Sequence, residues 1–151
     1  MKIVVGSDHA GFRLKSSMGD FIRAQGHTVL DVGAFNENPS DYPDFAELVA
    51  QAILDGKAER GVLICGSGVG VSVAANKFPG IRAGICHDTY SAHQGVEHDE
   101  MNVLVLGSRV VGEKLSEDIV KAYLGAKFTN EERHLRRLAK VKAIEQRMLK
   151  G

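Results

Sequence analysis

The sequence lacks long apolar runs and has few cysteines. No apolar run approaches the length of about 18 residues that a membrane-spanning helix requires. The first residues turn polar after Val5, which is too early for a secretion signal. The two cysteines, Cys65 and Cys86, are too few for a disulfide scaffold. These absences predict a cytoplasmic protein with reduced thiols and no membrane partner.

The sequence also lacks tryptophan and a net charge. Aromatic residues make up 6% of the chain, and the formal net charge at pH 7 is zero. A platform of aromatic rings for stacking bases is therefore not expected, and neither is a basic field over the whole protein. Only the C-terminal segment is locally basic. The composition argues against a nucleic-acid partner.

Short β-branched runs alternate with helical patterns along all 151 residues, which predicts a single domain of the α/β class. Such an alternation indicates parallel strands in a three-layer αβα Rossmann-like sandwich with an extended C-terminal helix. The predicted strands are 2–5, 28–32, 61–64, 81–86 and 103–106, and the predicted helices are 12–24, 43–54, 71–78, 91–98, 112–124 and 131–149. Ligands bind such sheets at the carboxyl ends of the strands.

The segment most suited to chemistry follows the third predicted strand and reads Cys65-Gly66-Ser67-Gly68-Val69-Gly70. Its three glycines allow a ligand to approach the backbone closely. Backbone N–H groups there would stabilise an anion, and a thiolate beside them suits proton abstraction next to a carbonyl. A tight turn with a buried cysteine would explain the same residues without any chemistry.

Other meanings of this loop fit the spacing less well. The third glycine of a dinucleotide-binding pattern would fall at Val71, and no Gly-Lys-Ser/Thr of a P-loop follows. A cysteine phosphatase would need an arginine at the same position, Val71. The six histidines show no metal-binding spacing, so no metal site is expected.

Four further groups of residues are candidates for binding or catalysis, and each can also be explained as purely structural. Asp8 and His9 follow the first strand and could contact a ligand or form a helix cap. His98 could act as an acid or base, and Tyr42 could bind a ligand. The arginines suited to phosphate, or to a solvated helix face, are Arg109, Arg133 and Arg137.

Taken together, the segments GSDHAG, DYPDFA, LICGSGVGVSVAANKFPGIRA, HDEMNVLVLGSRVVG and ERHLRR resemble the type B ribose-5-phosphate isomerases. That group belongs to a wider family with galactose-6-phosphate and allose-6-phosphate isomerases. The resemblance runs from Met1 to about Gln146. It implies a homodimer or dimer of dimers with active sites shared between subunits, and no metal or organic cofactor. The charged helix at about 130–149 is expected at the dimer interface.

The resemblance also implies roles for the candidates. It makes Cys65 the base that moves a proton between C1 and C2, through an enediolate that the loop with Gly66, Gly68 and Gly70 stabilises. Ser67 keeps a hydroxyl that shuttles a proton, and His98 opens the sugar ring. By resemblance, the sugar-contacting positions are Asp8 and Tyr42, and the phosphate-binding positions are His9, Arg109, Arg133 and Arg137.

Two departures from the family pattern bear on the sugar rather than on the reaction. Asp99 stands where the family commonly has an asparagine that contacts the enediol, and Glu131-Glu132 replaces a usual Gly-Gly. An isomerase for another sugar phosphate of four to six carbons therefore remains open. A non-catalytic sugar-phosphate sensor and a flavodoxin-like signalling module are competing interpretations. The intact Cys65 and His98 argue against the sensor, and the signalling module would not need the glycine loop.

Overall fold

A five-stranded parallel sheet forms the centre of the protein, in a computed structural model that describes residues 1–149. The strand order is β2-β1-β3-β5-β4. The direction of strand addition reverses between β1 and β3, so the carboxyl ends of these two neighbours form the switch point at which ligands bind such sheets. The strands are β1 (Lys2–Ser7), β2 (Thr28–Asp31), β3 (Arg60–Cys65), β4 (Ala83–Ile85) and β5 (Val103–Gly107).

Helices cover both faces of the sheet, because the inner strands are apolar on both sides. The helices are α1 (Phe12–Ala24), α2 (Tyr42–Leu54), α3 (Val69–Ala75), α4 (Thr89–Asp99), α5 (Glu113–Gly125) and α6 (Glu132–Leu149). Alternate residues of β1 separate the two cores: Ile3 and Val5 pack with α1, α4 and α5, whereas Val4 packs with α2 and α3.

The last helix, α6, packs mainly against α4 and leaves most of its length uncovered. Within it, only His134 and Leu138 are buried, among the residues that the structure describes. Several apolar side chains of α6 are exposed, namely Leu135, Val141, Ile144, Met148 and Leu149. The helix therefore presents an apolar surface that its own sheet does not bury.

The predicted α/β architecture is confirmed, and the differences lie at element ends. The third helix begins at Val69 rather than at 71, since Gly68 turns the chain with a φ of +85°. The fourth strand is shorter than predicted, because the Arg82 N–H donates to the Asn102 side chain instead of to a neighbouring strand. No helix in residues 1–149 is long and apolar enough to span a membrane.

Lys15 is a buried cation that ties α1 to the segment after β2. Its ammonium group is 2.7 Å from an oxygen of Asp31 and donates to the Ala34 carbonyl at 2.6 Å, while its side chain is 1% exposed. The Ala34 N–H in turn donates to the Ser7 carbonyl at 2.6 Å, directly before Asp8. These contacts fasten the segment after β2 to the carboxyl end of β1.

We expect Lys15→Met to lower the free energy of unfolding by about 2 kcal/mol, because it leaves the partly buried Asp31 carboxylate without its cation. Urea denaturation measures the change. Arg13→Met is the matched control on the same helix, since the Arg13–Glu37 pair is exposed and such pairs contribute well under about 1 kcal/mol. Equal losses in the two variants would contradict the assignment.

Candidate active site

A cavity of about 370 Å³ opens at the carboxyl ends of β1, β3 and β5. The strand register places Ser7 beside Ile64 and Cys65 beside Gly107, so the loops that follow the three strands meet there. The lining residues are Asp8, His9, Ala10, Tyr42, Cys65, Gly66, Ser67, Gly70, Arg109 and Val110. The cavity combines a thiol, a carboxylate, an imidazole and a guanidinium group.

Cys65 ends β3 with its thiol at the base of this cavity. The residue is 5% exposed, and its sulfur accepts a hydrogen bond from the Gly68 N–H at 3.2 Å. The left-handed conformation of Gly68, which favours glycine, turns that N–H back towards the sulfur. A hydrogen bond donated to sulfur stabilises a thiolate more than a thiol. The loop therefore offers the sulfur a backbone hydrogen-bond donor.

The segment after β5 is fastened to this loop by backbone hydrogen bonds. Ser108 N–H donates to the Cys65 carbonyl at 2.9 Å, and Arg109 N–H donates to the Gly66 carbonyl at 3.0 Å. A Cβ atom on Gly66 would lie 3.2 Å from the Arg109 side chain, so the glycine lets the guanidinium lie over the loop. Arg109 is thereby placed over one wall of the cavity as its cation.

Asp8 and His9 line the cavity from the segment after β1, and hydrogen bonds from Gly11 and Ser40 hold them there. An oxygen of Asp8 accepts the Gly11 N–H at 3.2 Å, which makes Asp8 the cap of a short 3-10 helix. His9 Nδ1 accepts the Ser40 N–H at 3.1 Å. The proton of the neutral imidazole therefore lies on Nε2, which can donate to a ligand.

Tyr42 closes the cavity from the start of α2 and packs on the glycine loop. A Cβ atom on Gly70 would come within 2.9 Å of two ring atoms of Tyr42, so only glycine allows this packing. Asp41 occupies the N-cap position of α2, but its side chain makes no capping hydrogen bond. Asp41 therefore does not cap α2 through its side chain.

A second cluster lies between α4 and α6, outside the cavity. The rings of His98 and His134 are stacked, with their centroids 3.9 Å apart. Burial and the neighbouring His98 lower the pKa of His134, which is 2% exposed. Arg133 and Arg137 lie on the exposed surface of α6, and the Arg133 Nε is 3.3 Å from a carboxylate oxygen of Glu131. The cluster thus combines two exposed arginines with a half-buried and a buried imidazole.

The structure divides the predicted site residues into two groups. The cavity brings together Cys65, the glycine loop and the residues after β1 and β5. The residues that it does not bring into the cavity are His98, Asp99, Arg133 and Arg137, and the Asp99 side chain is exposed. Among residues 1–149, no three His, Cys, Asp or Glu side chains converge to hold a metal ion.

Three residues make supporting contacts that were not predicted from the sequence. Ser40 orients His9 from 31 positions away, for which the sequence carries no signal. Gln94 contacts His98, and their spacing of four residues on one helix could have revealed the pair. His134 lies among the basic residues of the last helix, and its burial under His98 becomes visible only in the fold.

Known proteins match this chain over most of its length. A family model described as Ribose/Galactose Isomerase matches residues 3–141. The chain is 47% identical over 146 residues to ribose-5-phosphate isomerase B of Escherichia coli strain K12, covering 97% of both chains. It is 44% identical over 130 residues to the D-erythrulose-4-phosphate isomerase of Pectobacterium atrosepticum, covering 85% of both.

Solved structures of similar proteins have the same fold as this chain. Ribose-5-phosphate isomerase B of Clostridium thermocellum matches with a TM-score of 0.95 and 46% sequence identity. The match covers 98% of this chain and 99% of the other. The matched backbone therefore spans the strands and helices that carry the cavity and the cluster between α4 and α6.

Proposed function

This chain belongs to the ribose/galactose isomerase family of sugar-phosphate isomerases, and we propose from that membership that it interconverts ribose 5-phosphate and ribulose 5-phosphate. The observation that carries the proposal is the cavity in which the Cys65 sulfur accepts a backbone N–H beside the glycine loop. The loop amides would stabilise the oxyanion of an enediolate, and the thiolate would take the proton.

The isomerisation step uses one base for both proton transfers. The Cys65 thiolate removes the proton from C2 of the open-chain aldose. The electron pair of that C–H bond forms the C1–C2 double bond while the π pair of the C1 carbonyl moves to O1, which gives the enediolate. Ser67, at the cavity rim, relays the hydroxyl proton between the two oxygens. The thiol then returns its proton to C1, which gives the ketose and regenerates the thiolate. Both protons that leave the substrate return to it, so the step consumes no acid or base from solution.

Different side chains of the cavity hold the two ends of the substrate. His9 Nε2–H and the Arg109 guanidinium are the hydrogen-bond donors for phosphate, and Arg binds it with two parallel bonds. Asp8 and Tyr42 are placed to accept and donate hydrogen bonds to the sugar hydroxyls. These four side chains orient the carbon that Cys65 deprotonates.

We expect Gly70→Ala to raise KM for ribose 5-phosphate about tenfold, corresponding to about 1.4 kcal/mol of lost binding, because a methyl group would displace the Tyr42 ring. Initial rates over a range of substrate concentrations measure this change. The double variant Gly70→Ala/Tyr42→Ala is the control: once the ring is gone, the Gly70 substitution should have no added effect. A full additional loss would show that Gly70 acts independently of Tyr42.

A second copy of the chain completes the site in our proposal. His98, Arg133 and Arg137 lie outside the cavity of their own chain, and the uncovered apolar surface of α6 suits an interface between two subunits. We therefore propose a homodimer in which each cavity receives these three side chains from the partner. A dimer of dimers would preserve the same pairing of sites.

His98 then opens the furanose ring before the isomerisation. Its Nε2–H gives a proton to the ring oxygen as the bond from that oxygen to C1 breaks. The anomeric hydroxyl passes its proton to the same nitrogen as the aldehyde forms. The imidazole is neutral before and after the step, so it acts as a proton carrier.

A four-carbon sugar phosphate is the second candidate substrate. Two relatives, 44% and 41% identical, are named D-erythrulose-4-phosphate isomerases. Asp99, next to His98, replaces the asparagine that the family commonly has there, which leaves the choice of sugar open. The reaction and the cysteine base are the same for this substrate.

Conversion of ribose 5-phosphate by the purified protein without added metal tests the proposal. Ribulose 5-phosphate formation is followed directly, and erythrose 4-phosphate is assayed in parallel under the same conditions. Efficient turnover of ribose 5-phosphate supports the proposal. Turnover of the four-carbon substrate alone would establish the second candidate, and turnover of neither would overturn both.

A further inference from the structure

Gln94 and His98 lie one helical turn apart on α4 and are in direct contact. The Gln94 Nε2 atom is 2.8 Å from His98 Nδ1, and both side chains are half-buried. An amide nitrogen carries two donors and no acceptor. His98 Nδ1 must therefore accept this hydrogen bond.

This contact determines which nitrogen of His98 carries the proton. A neutral imidazole has one donor nitrogen and one acceptor nitrogen. Since Nδ1 is the acceptor, the proton of neutral His98 lies on Nε2. The ring nitrogen that is not engaged by Gln94 is consequently a donor, which is the form required to protonate the ring oxygen of a sugar.

The ring of His98 is also held in place from its face. It stacks on His134, whose Nδ1 is 2.5 Å from Thr129 Oγ1. The Thr129 N–H donates to the carbonyl of Glu97, the residue before His98, at 3.0 Å. This closed set of contacts leaves the imidazole little freedom to rotate. Among these residues, Gln94 is the one that forms a hydrogen bond to a ring nitrogen of His98.

We infer that Gln94 is a positioning residue that holds His98 in the tautomer with the proton on Nε2, for opening a cyclic substrate. The inference rests on the proposed function only for the role of His98, whereas the tautomer itself is a property of the protein. Gln94 should therefore matter for a substrate with a closed ring. It should not matter for a four-carbon sugar phosphorylated on O4, which has no free hydroxyl to close a five-membered ring.

Nitrogen-15 NMR of the full-length protein, above the pH at which histidines are protonated, tests the tautomer directly. The His98 signals are assigned by comparison with His98→Gln. We expect Nδ1 to be unprotonated and Nε2 protonated in the wild type. Gln94→Glu should move the proton to Nδ1, because a carboxylate can only accept. A wild-type His98 protonated on Nδ1, or an unchanged tautomer in Gln94→Glu, would overturn the inference whether or not the protein is active.

Kinetics of the same variants tests the consequence. Gln94→Leu removes the donor and keeps an apolar side chain, and Gln94→Glu reverses its polarity. Both should lower kcat/KM for ribose 5-phosphate about three- to tenfold, the range for one lost hydrogen bond. Neither should change kcat/KM for erythrose 4-phosphate. Equal losses on the two substrates would indicate a general structural effect and overturn the ring-specific role. Failure of the wild type on both substrates would count against the proposed function and leave the NMR result standing.

Discussion

Cys65→Ala should lower kcat for ribose 5-phosphate by about 10³-fold, within the range that a positioned general base contributes. The variant loses only the sulfur, while the loop amides, His9 and Arg109 stay in place. Binding of the sugar phosphate, measured by calorimetry, should therefore change by less than about threefold. A large loss of turnover with retained binding identifies the thiol as part of the chemistry.

Cys86→Ala is the matched control for this prediction. Cys86 directly follows β4 and is as buried as Cys65, at 5% exposure. Burial, together with the nearby Asp88, raises the pKa of the Cys86 thiol to about 11, so this sulfur stays protonated at neutral pH. Its loss should cost about 1 kcal/mol of stability and leave kcat unchanged. Activity that survives in Cys65→Ala would rule out the thiol as the base.

Two inactive variants should restore activity to each other if the sites are shared between subunits. Each proposed site pairs Cys65 of one chain with His98 of the other. In a heterodimer of Cys65→Ala and His98→Ala, one site therefore carries both substitutions and the other carries neither. Since a two-fold dimer has two equivalent sites, such a heterodimer should show about half of the wild-type activity. Co-expression with two different affinity tags, followed by tandem purification, isolates the heterodimer for the assay.

The control for this experiment is the Cys65→Ala chain carrying both tags in the same way, which should remain inactive. Light scattering establishes that each preparation is a dimer or a dimer of dimers. A pure heterodimer without activity would show that each chain uses its own His98. Activity in the His98→Ala homodimer would show instead that His98 is not required. A monomer in solution would overturn the shared site.

The sequence alone determined the fold class and the positions of the strands and helices. Hydrophobic periodicity and glycine punctuation are local properties, so they can be recognised without the fold. The glycine loop after β3 and the polar residues after β1 could also be predicted to lie near one another, because parallel strands place their carboxyl ends on one edge of the sheet. The resemblance to a family of isomerases supplied the roles of the candidate residues and added Asp99 to them.

Only the tertiary structure decided how these residues are held. Ser40 fixes the tautomer of His9, the Tyr42 ring packs on Gly70, and His134 is buried beneath His98. The fold also separates His98 from the cavity of its own chain. Such contacts depend on which helices the sheet topology brings together and on the space between them. A local sequence pattern contains neither, because the residues concerned meet only after the chain has folded.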